Sequence, residues 1–133
     1  MGSAMEDLVE VMDRLRRECP WTAQQTHASL APYLTEEADE AVEAIGAGDP
    51  DHLRDELGDV LLQVVFHARV AAESADGFDL DDVARGLTDK LVRRNPHVFG
   101  DSDASTPEEI DAQWQRIKAA ERRAVRDRPT DAH

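Results

Sequence analysis

Apolar positions along the chain recur at helical spacing, and no run alternates apolar and polar residues as a half-buried strand would. Leu8, Val11, Met12 and Leu15 form one stripe of a first helix over residues 5–17, which must stop before Pro20 because proline cannot donate to a continuing helix. Cys19-Pro20-Trp21 reads as a connector, and Thr22-Ala23-Gln24-Gln25 as a capping box that opens a short turn. Ser29 with Pro32 close behind predicts the start of a longer helix, running to about Ala44 and ended by Gly46 and Gly48. Asp49-Pro50 offers an N-cap and a first-turn proline to the next helix, which continues to about Ser74 ahead of Asp76-Gly77. Asp79 caps a fourth helix over 80–94, stopped by Asn95-Pro96, and Thr106-Pro107-Glu108-Glu109 caps a fifth from Pro107 to about Arg126. The short polar loops at 46–49 and 100–105 favour antiparallel neighbours, so the expected fold is all-α, an antiparallel bundle of about five helices.

At 133 residues the chain predicts one domain, over 5–126, with 1–4 a cloning remnant or disordered start and 127–133 a frayed tail. Fifteen basic against 29 acidic side chains leave a net charge of −14, which argues against nucleic acid or an anionic membrane surface as the main partner. No apolar run approaches the roughly 18 residues of a membrane span, and the first ten residues carry no secretory signal. Cys19 is the only cysteine, so neither an intramolecular disulfide nor a cysteine-based zinc site is available, and the cytoplasm is the expected compartment.

The acids are placed where a core should be. Leu30, Leu34, Ala41 and Ile45 line one seam of the second long helix, and the position completing it is Glu37; Glu40 lies three residues on and Glu36 one back. The next helix is apolar nearly all round from Leu57 to Phe66, as a buried helix would be, yet Glu56 and Asp59 sit three apart at its head. Like-charged carboxylates withdrawn from water are driven to take up protons unless a hard divalent cation shares them, which points to magnesium, or manganese in its place. A single such pair in a chain this acidic reads most simply as a solvated face. Two pairs, each interrupting an apolar stripe on successive helices, are seldom accidental. A di-iron bundle needs Glu-x-x-His, and none of His27, His52, His67 and His97 has a glutamate three residues before it.

Further blocks flank the acids: Cys19-Pro20-Trp21 with Gln25-Thr26-His27, Leu53-Arg54 ahead of Glu56-Leu57-Gly58-Asp59, Gln63-Val64-Val65-Phe66-His67, and Asp89-Lys90-Leu91-x-Arg93-Arg94-x-Pro96-His97-Val98-Phe99. With Glu36-Glu37-x-x-Glu40, this order resembles the all-α nucleoside triphosphate pyrophosphohydrolases, and specifically the MazG family, over roughly residues 8–121. Better-known members carry two such modules where this chain carries one, and Asn95 stands where histidine is common.

The resemblance implies hydrolysis of a nucleoside triphosphate to the monophosphate and pyrophosphate by water activated on magnesium. It makes Glu37, Glu40, Glu56 and Asp59 the metal ligands and Glu36 the acid that orients or deprotonates the water. It also implies a homodimer or homotetramer with each site completed near a subunit interface. A triphosphate brought to an acidic site needs cations opposite the metals. Lys90 and Arg94 share a helix face and suit phosphate, whereas Arg93 reads equally well as a surface charge. Trp114 and Lys118 repeat that spacing, offering an aromatic face for a base and an ammonium for phosphate, with a core tryptophan and a surface lysine as the plainer reading. Trp21 either closes over the base or anchors the Cys19-Pro20 connector, and His27, His67 and His97 read as structural. Sibling activities on dUTP, dCTP or phosphoribosyl-ATP, and a non-catalytic helical adaptor, stay open at this point. So do the preferred base and sugar, a house-cleaning role on non-canonical or oxidised nucleotides, and attack at the α or the β phosphorus.

Overall fold

The computed structural model describes residues 2–128, all of whose regular structure is helical. The helices are α1 (Ala4–Glu18), α2 (Pro20–Gln24), α3 (His27–Ala47), α4 (Pro50–Ala71), α5 (Leu80–Arg94), α6 (Pro96–Phe99) and α7 (Pro107–Arg126). Two short helices thus join the five expected. Each opens on a proline at its first position, so Pro20 and Pro96 both stop one helix and start the next. Thr22 lies inside α2, whose N-cap is Cys19 without a side-chain bond, so the expected capping box at Thr22 is not formed. The box forms at Thr26, whose hydroxyl accepts from Ser29 N while Ser29 Oγ accepts from Thr26 N. Pro32 then falls inside α3, where it removes one main-chain bond from the second turn. Ser3 and Glu6 form a reciprocal capping box that starts α1 at Ala4. Met1 and residues 129–133 of the expected frayed tail lie outside the described residues.

The described residues fall into two compact units, 2–83 and 84–128, with the division inside α5. In the first, α3 and α4 pair as a hairpin against α1. Gly48, in the left-handed region at φ 71°, ends α3, and Asp49 caps α4 through Asp51 N at 3.0 Å. Met12, Leu30, Val65 and Phe66 form its core, with Leu8, Leu61, Val70 and Leu80 packed around them. Burial of each large side chain contributes about 1.5–3 kcal/mol.

The seam of α3 differs from the expected one: Leu30, Ala41 and Ala44 are buried, whereas Leu34 and Ile45 are exposed. Nor is α4 buried all round, since Leu57, Leu62 and Val64 face outward. A single hairpin can cover only one face of each helix. Among the described residues no helix is long and apolar enough to cross a membrane.

The second unit holds most of α5, α6 and α7. Thr106 caps α7 by accepting from Glu109 N at 3.1 Å. Gln113 is buried there, bonded to Ser102 Oγ and, through Nε2, to His97 Nδ1 at 3.2 Å.

Candidate metal centre and nucleotide site

The α3–α4 hairpin brings together carboxylates that lie far apart in sequence. One oxygen each from Glu37, Glu40, Glu56 and Asp59 lies within 4.8 Å of all the others. The three-residue spacing inside each helix puts both acids of a pair on the facing stripe, and the antiparallel pairing sets the two stripes opposite one another. Partial burial pushes the Glu37 carboxyl above its ordinary range, and the charges of Glu40, Asp59 and Glu56 push the same way. Glu56 is raised by burial and then by Glu40 and Asp59, against the opposing pull of His52, whose Nε2 lies 3.4 Å from Glu56 Oε1. Oε2 of both Glu37 and Glu56 is buried without a hydrogen-bond donor.

These four residues fit a hard divalent cation. The donors are all oxygen, two are orphaned, and the repulsion that adds to burial in raising Glu37 and Glu56 is the kind a shared cation relieves. Glu36, expected beside them, is exposed and contributes no oxygen to the group. It stands one residue, hence about 100°, around α3 from Glu37.

On α2, against the same hairpin, Trp21 is 53% exposed and meets Tyr33 and Phe66 edge-on, with ring centroids 6.1 and 6.4 Å away. It is packed against the hairpin and leaves part of its ring open. Arg16 holds the segment beneath it by donating from Nη1 to the carbonyls of Thr22 and Gln25, while its other nitrogens pair with Glu73. Periodicity could not reveal this clamp, which joins α1 to main-chain atoms. His27 and His67 stack and bond Nδ1 to Nδ1 at 2.8 Å, yet His67 Nε2 and the buried Gln63 Oε1 lack partners.

In the second unit Arg94 and Lys118 both lie over the Trp114 ring, 5.5 and 4.8 Å from its centroid. Glu121, unforeseen from the sequence, accepts from Arg93 Nε at 2.8 Å and from Arg94 Nη2 at 2.8 Å. The two guanidinium groups hold its carboxyl down at about 2. Lys90 is exposed and makes no hydrogen bond or ion pair within the described structure.

A family profile for the MazG nucleotide pyrophosphohydrolase domain matches residues 25–99, more than half of the chain. The chain belongs to the MazG family. This MazG domain is 50% identical over 123 residues to the "Nucleoside triphosphate pyrophosphohydrolase/pyrophosphatase MazG" of Thermotoga maritima, covering 91% of this chain and 46% of that protein. It is 47% identical over 121 residues to the nucleoside triphosphate pyrophosphohydrolase of Escherichia coli K12, covering 89% of this chain and 46% of that one. It thus spans about half the length of the curated relatives it matches. A solved structure described as a mazG-related protein from Thermotoga maritima superposes with a TM-score of 0.70 at 31% identity, over 86% of this chain and 98% of that one. The MazG domain fold expected from the sequence is therefore the one observed.

Proposed function

We propose that this MazG domain is a magnesium-dependent nucleoside triphosphate pyrophosphohydrolase, converting a ribo- or deoxyribonucleoside triphosphate and water to the monophosphate and diphosphate. The observation that carries the reading is the four-carboxylate group, whose buried, donorless oxygens suit a divalent cation. The named activities of the relatives support it.

Glu37, Glu40, Glu56 and Asp59 would hold magnesium, with manganese as substitute. Such an ion supplies charge neutralisation at phosphate oxygens and lowers the pKa of water. Glu36, exposed beside Glu37, is the candidate to orient the attacking water and take its proton. Lys90, Arg94 and Lys118 supply the positive charge for the phosphates, and the open face of Trp21 is a surface for the base. Attack at the α phosphorus is the favoured route, because those cations then neutralise the departing diphosphate. A homodimer or homotetramer is part of the same proposal, as the outward apolar residues of α3 and α4 would then be covered.

Diphosphate release should be measured across canonical and oxidised ribo- and deoxyribonucleotides, with magnesium and with EDTA. Turnover that stops in EDTA and returns with magnesium or manganese is expected, with calcium poor. Full activity in chelator, or none on any nucleotide, refutes the proposal; a marked preference for oxidised nucleotides would assign a house-cleaning role. Hydrolysis in isotopically heavy water should label the monophosphate, and label in the diphosphate would move the attack to the β phosphorus.

A further inference from the structure

We propose that Arg16 is a positioning residue for the base end of the nucleotide site: it clamps the main chain of α2, fixes the open ring of Trp21 beside the metal-binding stripe, and so sharpens selection among bases. The inference rests on the pyrophosphohydrolase reading for the identity of the ligand, and on the 2–83 unit alone for its geometry.

A helix of five residues has little stability of its own, because the cost of its first turn is set against few bonds. α2 also lacks a side-chain cap at Cys19. Its far end is held from outside. Arg16 Nη1 donates to the carbonyls of Thr22 at 2.6 Å and Gln25 at 2.9 Å, which places a cation at the negative end of the helix. Gln25 Nε2 donates to the Trp21 carbonyl at 2.9 Å. The Arg16 side chain is only 11% exposed, and all three of its nitrogens are engaged, since Nε and Nη2 pair with Glu73 at 2.8 and 2.9 Å. Arg69 also donates to Glu73, at 3.1 Å, and to Asp13, at 3.0 Å. The clamp is thus anchored on α1 and just past the end of α4. A lysine at position 16 would keep its charge toward Glu73 but could not fork between that carboxylate and two carbonyls.

Trp21 is what the clamp presents. Its ring is half exposed and stands edge-on to Tyr33 and Phe66. Tyr33 lies four residues before Glu37 on α3, and Phe66 seven after Asp59 on α4, so both share the faces that carry the carboxylates, about 6 and 10 Å from them along the helix axes. The ring therefore stands off the metal centre by about the length that a ribose puts between a phosphate and its base. A wall fixed before the ligand arrives discriminates among base shapes, whereas a mobile one adapts to each and spends binding energy on being ordered.

The test compares Arg16→Lys and Trp21→Ala with the parent protein. Calorimetry in magnesium measures binding of the four common nucleoside monophosphates and of inorganic pyrophosphate, which has no base. Monophosphate affinities of Arg16→Lys should fall about fivefold to tenfold, most for the bases the parent binds best, so that the spread among them narrows as it does in Trp21→Ala. Pyrophosphate binding should change by less than about twofold. Fluorine NMR of protein carrying fluorotryptophan resolves its two tryptophans, with Trp21→Ala as the assignment; the Trp21 signal should shift or broaden in Arg16→Lys while that of Trp114 stays. An unmoved Trp21 signal, or unchanged monophosphate affinities, would overturn the inference, as would parent affinities that do not depend on the base. An equal loss for pyrophosphate would overturn it too, by making Arg16 a general support of the fold. Should Arg16→Lys not fold, Glu73→Gln, which loosens the anchor of the same guanidinium, carries both readouts. A parent protein that hydrolyses no nucleotide defeats the pyrophosphohydrolase reading, while the monophosphate titrations and the fluorine spectrum still decide this one.

Discussion

His27 Nδ1 lies 2.8 Å from His67 Nδ1, with the rings parallel to within 3°, where the start of α3 meets the end of α4. Only one proton fits between two such nitrogens, so the pair accommodates one N–H and one lone pair. Burial, and then the neighbouring His27, lower the His67 pKa below its ordinary 6.5. The folded chain therefore resists a proton that the unfolded chain accepts. The pair's contribution to stability is complete above about pH 6.5 and declines as pH falls through that range toward the lowered value. Melting temperatures between pH 7.5 and 5.5, in roughly half-unit steps, should drop more for the parent than for His67→Gln. Parallel curves would remove the histidine pair as the cause.

The Glu37, Glu40, Glu56 and Asp59 group costs stability while it is fully charged and metal-free. Glu56→Gln should melt a few degrees above the parent in EDTA at neutral pH. A raised carboxyl pKa means that the charged form is disfavoured in the fold. The advantage of the variant should therefore shrink as pH falls toward the ordinary value of 4.5, where the parent's acids take up protons. Added magnesium should raise the parent's melting temperature more than the variant's. A large loss of metal-free stability in Glu56→Gln would mark the acid as a structural partner.

Catalysis and stability should separate at the same group. Glu40→Ala and Asp59→Ala are expected to abolish diphosphate release while sparing or raising the metal-free melting temperature. Retained turnover in either variant would place the metal elsewhere.

Glu121 behaves in the opposite sense, because hydrogen bonds from Arg94 and Arg93 hold its carboxyl at about 2. Its stabilising effect is fully present above the ordinary 4.5 and is lost as pH falls from there toward about 2. Denaturant midpoints of Glu121→Gln and the parent should differ at pH 7 and converge toward pH 2. A constant difference across that range would mean that packing, and not charge, accounts for it.

Two glycines should respond oppositely to alanine. A Cβ on Gly77 would sit 1.7 Å from the Ala71 carbonyl oxygen, a main-chain atom that cannot swing aside, so Gly77→Ala should cost about 1–3 kcal/mol or more. A Cβ on Gly58, inside α4, meets nothing within 4 Å, and Gly58→Ala should stabilise by about 0.5–1 kcal/mol. Chemical denaturation of both variants measures the contrast, and equal effects would contradict it.

What the sequence determined by itself was the helical class and the positions at which short-range chemistry acts. Asp49-Pro50 and Thr106-Pro107 start α4 and α7 at the residues expected, because an N-cap oxygen and a proline at the first position act within one turn. The pairing of Glu37 and Glu40 with Glu56 and Asp59 was legible for a related reason: helical periodicity fixes a face, and a short loop fixes an antiparallel neighbour. Only the tertiary structure decided which side of each stripe is covered, leaving Leu34 and Ile45 outside and burying Ala44 and Gln63. It alone placed Arg16 under the Trp21 segment, His27 against His67, and Glu121 beneath Arg93 and Arg94. The histidine and Glu121 contacts join side chains far apart in sequence, and the Arg16 contact joins a side chain to main-chain carbonyls, so no spacing rule applies and partner geometry sets the energy. Trp114 shows the difference within one residue. Its four-residue spacing to Lys118 is written in the chain, but the arrival of Arg94 over the same ring is set by how α5 ends against α7.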